Sequence, residues 1–227
     1  MPRIIGQKSR IFTSQGENLP SMDTGRPLII CDVDEVILSF LGSLDRWLAE
    51  RELLLVRDSY ALAGNLRDQT GQAVSNDAFR ALMHDFLAEC AHDFPPLPGA
   101  LAGLEALRPH CTIIFLTNIP LSTATARRQN LDALGLRDGL IINEGPKGPA
   151  LSRISASVSA PVIFIDDSPT NVTSALNEAP HITTIHMVPD EGFRAHVEIH
   201  EDVGLFTGDW DETTRYILAQ ITSPNAR

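Results

Sequence analysis

The chain has 227 residues, enough for one domain or for one core carrying an insertion, and its 43% hydrophobic and 21% charged residues are those of a globular protein. Twenty-nine acids against 18 bases leave a formal charge of −11, which weighs against a broad nucleic-acid or anionic-membrane surface. Of the bases, 16 are Arg and only two, Lys8 and Lys147, are Lys, so a lysine with a defined task has two candidates.

Residues 1–26 mix Gly, Ser, Gln, Asn and Pro without a clear period and read as a poorly ordered extension. From Pro27 the pattern changes. Residues 28–31 form a continuous apolar run ending at Asp32, as expected of a strand buried on both faces. Residues 40–95 read as a mostly helical insertion. Its first helix carries Phe40, Leu41, Leu44, Trp47 and Leu48, and its second, capped at Asn76, carries Phe79, Leu82, Met83, Phe86, Leu87 and Cys90. The Pro-rich stretch 95–99 ends the insertion, and residues 100–107 return as a helix. Further buried runs follow at 112–116, 140–142, 161–165 and 182–187, with helices expected at 121–136, 149–158 and 211–221. Buried strands alternating with helices predict an α/β fold: a Rossmann-like parallel sheet with helices on both faces, plus a small helical cap domain. The division expected is a core of 27–39 and 96–227 and a cap of 40–95. Ligands of such sheets bind beyond the carboxyl ends of the strands.

Chemistry is concentrated at those ends. The first run closes on Asp32-Val33-Asp34, which alone is an ordinary Asp-rich turn. The run at 112–116 closes on Thr117 and Asn118, a hydroxyl and a backbone N–H suited to an anionic oxygen. Lys147 stands just before a helix, where a cation has the wrong sign for the helix dipole unless an anion lies nearby. The run at 161–165 closes on Asp166-Asp167, followed by Ser168, Pro169 and Asn171. Ser168 and Pro169 also make a standard helix start. If these ends converge, Asp32, Asp34, Asp166 and Asp167 crowd one pocket and need a counter-charge. Mg²⁺ satisfies that need and leaves room for water and phosphate.

These four motifs, in this order, resemble those of the haloacid dehalogenase superfamily of phosphatases and phosphotransferases, over roughly residues 27–190. The resemblance implies that Asp32 is the nucleophile and that Asp34 is the general acid and base. It implies that Thr117, Asn118 and Lys147 bind the phosphoryl group. It assigns Asp32, Asp34, Asp166 and Asp167 to Mg²⁺, with Ser168 and Asn171 orienting that shell. Glu35 departs from the Gly common at its position. The implied activity is hydrolysis of a small phosphorylated metabolite, a nucleotide or sugar phosphate, through an aspartyl-phosphate. The alternatives are a phosphosugar mutase and a non-catalytic phosphate-binding regulator. Dehalogenases of the superfamily lack the second Asp, and the phosphonate hydrolases need a cap lysine that residues 40–95 do not contain. No nucleic-acid polymer or membrane is expected as partner. Three cysteines (Cys31, Cys90, Cys111), without a CxxC pair and without an apolar run long enough for a secretory signal, point to a cytoplasmic protein with reduced thiols. Trp47 and Tyr60 offer rings for stacking on a base or sugar, against the plainer reading of Trp47 as packing between cap and core.

Overall fold

The computed structural model describes residues 11–16, 19–20 and 25–222. Its centre is a seven-stranded sheet. In chain order the strands are β1 (Ile11–Thr13), β2 (Leu28–Cys31), β5 (Thr112–Thr117), β6 (Gly139–Ile142), β7 (Val162–Asp166), β8 (Thr183–Met187) and β9 (Leu205–Thr207). Across the sheet they run β1-β6-β5-β2-β7-β8-β9, and every pairing is parallel.

The apolar runs are buried because each strand serves two cores. Ile29 and Cys31 of β2 join one apolar cluster with Ile113, Phe115, Ile163 and Ile165. Leu28 and Ile30 turn to the other, with Ile114, Leu116, Val162 and Phe164. This period of two, apolar on both faces, produces the continuous runs seen in the sequence. Helices α5 (Gly148–Ser155) and α6 (Pro169–Glu178) cover the second face. On the first face lie α3 (Ala100–Leu107), α4 (Ala124–Ala133), which follows a 3-10 turn at Leu121–Thr123, and α8 (Trp210–Thr222). A short helix, α7 (Glu191–Arg194), follows β8 and is anchored by Asp190, whose carboxylate accepts from Phe193 N at 2.9 Å.

Between β2 and β5 lie α1 (Phe40–Ala49), a hairpin of β3 (Leu54–Leu55) and β4 (Leu66–Arg67), and α2 (Asn76–Cys90). The two helices pack through Phe86, which meets Phe40 edge-on at 5.3 Å and stacks on Phe94 at 5.2 Å. Leu44, Leu48 and Phe86 are continuous with the cluster on the first face of the sheet, so the insertion shares the core's apolar interior.

Four details differ from the sequence reading. Residues 11–13, placed there in an unstructured extension, form the edge strand β1, registered on 140–142. Residues 1–10, 17–18 and 21–24 of that extension lie outside the described residues. Strand β9 and the hairpin in the insertion were unforeseen. The cap of α2 is Ser75, whose Oγ accepts from Ala78 N at 3.3 Å, and Asn76 is the first helical residue. Cys31, Cys90 and Cys111 are unpaired. Among the described residues no helix is long and apolar enough to cross a membrane.

Candidate active site

Strand order reverses around β2, which is flanked by β5 and β7, and this is where an open α/β sheet leaves a crevice at its carboxyl ends. Asp32, Thr117 and Asp166 occupy those ends, all buried. Lys147 reaches them from the N-cap of α5. Its side chain is fully buried, and Nζ lies 2.7 Å from Asp32 Oδ1 and 2.7 Å from Asp166 Oδ2. The adverse dipole position is thus offset by two carboxylates. Burial pulls the ammonium pKa down, but Asp166 and Asp32 outweigh it and hold the group above its ordinary value.

Asp166 is a fully engaged acceptor. Oδ1 takes the Ser168 backbone N–H at 2.9 Å and Asn171 Nδ2 at 3.1 Å, while Oδ2 takes Lys147. Ser168 holds the N-cap position of α6 without a side-chain cap bond, so its contribution is the backbone N–H. Asp32 Oδ1 accepts from Lys147 and from Val33 N at 2.7 Å, which leaves Oδ2 as the oxygen for a reaction partner. Asp167 lies at the mouth. Burial raises its carboxyl well above the ordinary range, and Asp166 and Asp32 push the same way. Burial likewise lifts Asp32, to about 7, with Lys147 opposing and Asp166 reinforcing the rise.

Carboxylate oxygens of Asp32, Asp166 and Asp167 lie within 4.8 Å of one another. Three carboxylates against the single ammonium of Lys147 leave an excess of two negative charges, matching a divalent cation that prefers oxygen ligands. The donor set therefore fits Mg²⁺.

Asp34 stands apart from that cluster. Its Oδ1 lies 2.6 Å from Nη2 of Arg127, a residue of α4 that is completely buried, and the Thr117 hydroxyl also bonds to the carboxyl. Burial raises the Asp34 pKa even though Arg127 opposes it. Asn118 is exposed. Its side chain is spent on local structure, donating to Gly145 O at 2.8 Å and accepting from Asn143 Nδ2 at 2.8 Å, so only its backbone is available to a ligand. Eight of the nine candidate residues therefore sit at or directly behind the carboxyl ends of β2, β5 and β7, and the ninth, Lys147, reaches them from the loop after β6.

Four participants escaped the sequence reading. Arg127 is one. Tyr60, in the loop between β3 and β4, donates its hydroxyl to Asp167 O at 2.5 Å and lies 3.0 Å from Asp167 Oδ2. His186 Nε2 lies 2.8 Å from Asp167 O. Glu35 has a left-handed φ of 57°, which explains why Gly suits the position, and its Oε2 accepts from Leu41 N at the start of α1. Trp47 is engaged elsewhere: Nε1 donates to Glu89 at 2.7 Å and Arg51 stacks on its ring.

Sheet order, strand-end carboxylates and the insertion after β2 mark the haloacid dehalogenase-like α/β fold, and this chain has it. A haloacid dehalogenase-like family protein from Streptococcus pneumoniae matches with TM-score 0.61 and 14% identity over 86% of this chain and 100% of that one. A HAD family hydrolase from Deinococcus radiodurans, with bound phosphate and sodium, matches with TM-score 0.61 and 17% identity over 88% and 97%. An L-2-haloacid dehalogenase matches with TM-score 0.55 and 17% identity over 85% and 100%. No family model and no curated protein matches the sequence.

Proposed function

We propose that the chain is a haloacid dehalogenase-superfamily hydrolase acting as a Mg²⁺-dependent phosphatase on small phosphomonoesters. The observation that carries this reading is the separation of carboxylates. Asp32, Asp166 and Asp167 form one cluster suited to a cation, while Asp34 lines the same cavity with its own cationic partner. A dehalogenase needs no general acid at its leaving group, because halide departs without a proton.

Asp32 Oδ2 attacks phosphorus, forming the aspartyl–phosphate bond as the bond to the ester oxygen breaks. Protonated Asp34 gives its proton to that departing oxygen. The Asp34 carboxylate then takes a proton from the water that cleaves the acyl phosphate, restoring Asp32 and releasing phosphate. Burial keeps the protonated form of Asp34 accessible, and Arg127 keeps the ionised form from becoming too costly. Thr117 and the Asn118 backbone N–H would hold phosphoryl oxygens, and Lys147 lowers the charge on Asp32 as the dianion approaches. Mg²⁺ would be held by Asp32, Asp167 and the Asp34 carbonyl, backed by Asp166, and supplies positive charge to the phosphoryl oxygens. Ser168 and Asn171 orient Asp166.

The test is phosphate release from an aryl phosphate with Mg²⁺ and with chelator, beside chloride release from chloroacetate. Mg²⁺-dependent phosphate release that is lost in Asp32→Asn is expected. Chloride release without phosphate release would replace this reading with a dehalogenase.

A further inference from the structure

The cavity in front of the carboxylates measures about 360 Å³ and is lined by two unlike sets of side chains. One forms the reaction end already described. The other is apolar, built by Phe40 of α1, Leu62 of the hairpin loop, Met83 and Leu87 of α2, Ile119 after β5, and Phe193 of α7. Phe40, Leu62, Met83 and Leu87 are only half buried although they belong to the core cluster's margin. Only Phe86 of the fifteen residues in α2 is fully buried, so this helix turns uncovered apolar side chains to the cavity. Four further polar groups that line the cavity are already bound by the protein. Glu35 accepts from Leu41 N, and Asp190 accepts from Phe193 N and sits 3.2 Å from Arg57. The Asn118 amide is held by Gly145 and Asn143, and the Tyr60 hydroxyl by Asp167. Among the described residues lining the cavity, none is Lys, Arg or His.

Given the phosphatase reading, on which this rests, we infer that the substrate is a phosphomonoester with an apolar, uncharged leaving group, an alkyl or aryl alcohol. Sugar hydroxyls would meet an apolar wall and lose their hydrogen bonds to water without replacement. A second phosphate, as in a sugar bisphosphate or nucleoside diphosphate, would find no lining cation to pair with. The sequence reading expected nucleotide or sugar phosphates, and the cavity wall favours neither. An apolar leaving group takes the exposed faces of Met83 and Leu87 out of water, and closes the reaction end against solvent.

The experiment compares kcat/KM for n-hexyl phosphate, glycerol 3-phosphate and ribose 5-phosphate. All three are primary alkyl esters, so the chemical reactivity of the leaving group is similar and binding decides the ranking. At least a tenfold preference for n-hexyl phosphate is expected. Leu87→Gln and, independently, Met83→Gln should cut the hexyl-to-ribose ratio at least threefold. Circular dichroism confirms that each variant is folded. Equal or faster hydrolysis of ribose 5-phosphate or glycerol 3-phosphate overturns the inference and leaves the phosphatase reading standing. If acetyl phosphate and p-nitrophenyl phosphate also go unhydrolysed with Mg²⁺ present, the phosphatase reading fails and takes this inference with it.

Discussion

Removing Arg127 tests the electrostatic design of the site most directly. Its guanidinium is completely shielded from water, pairs with Asp34 at 2.6 Å, and lies 4.5 Å from the Phe94 ring centroid. Charge centres about 4 Å apart attract by about 4 kcal/mol at an effective dielectric near 20. Losing one member of a buried pair costs about 3–5 kcal/mol, because the remaining charge is stranded. The Asp34 side chain keeps 21% exposure and can take up a proton, so Arg127→Met belongs at the low end, about 3 kcal/mol at pH 8. At pH 5 the loss shrinks, since without Arg127 the Asp34 carboxyl titrates higher and is neutral over more of the acidic range. Urea unfolding of wild type, Arg127→Met, Asp34→Asn and the double variant isolates the pair, with a coupling of about 2 kcal/mol expected at pH 8. A coupling below about 0.5 kcal/mol, or a loss that does not grow with pH, would refute the reasoning. The same change moves the alkaline limb of kcat/KM upward in pH, because a general acid with a raised pKa stays protonated longer.

Glu35 gives a pH-dependent stability of known sign. Burial pushes its carboxyl from the ordinary 4.5 to about 7, with the Leu41 N–H opposing and Asp190 adding to the rise. Between those pH values the folded chain holds more protons than the unfolded one, so stability falls as pH rises and stays reduced above 7. Glu35→Gln keeps an acceptor for Leu41 and should gain up to about 3 kcal/mol at pH 8 and nothing at pH 4, read from urea midpoints in chelator. Gly148→Ala places a Cβ against Ser174 O and Oγ, so α5 and α6 must part. A loss of about 1–3 kcal/mol in thermal unfolding is expected, with a drop in activity as Lys147 shifts. Millimolar Mg²⁺ against EDTA should raise the melting temperature, by about 2.7 kcal/mol of stabilisation at a hundredfold excess over Kd, and Asp167→Asn should abolish the shift.

The reaction end of the site was legible because each motif closes a strand buried on both faces. Such strands announce themselves as unbroken apolar runs, and carboxylates at their mouths break the pattern. The edges were not legible. Strands β1 and β9 have three residues each and each hairpin strand two, too short for any periodicity to show. Arg127 was hidden because charged residues on a helix ordinarily face water. The helix ATARRQNLDA carries too few apolar side chains to bury a face without taking Arg127, Arg128 and Asn130 inside, and that scarcity was the available signal. Tyr60 gave none, since it meets Asp167 across 107 positions of sequence, from a loop with no regular pattern.

That one contact makes the insertion and the acidic cluster a single mechanical unit. Tyr60 also lines the cavity, so an outward movement of its loop would take the hydroxyl off Asp167 and expose that carboxyl to water. Access to the cavity and the surroundings of the carboxyls at its floor would then change together, like a door whose latch is wired to the lamp inside.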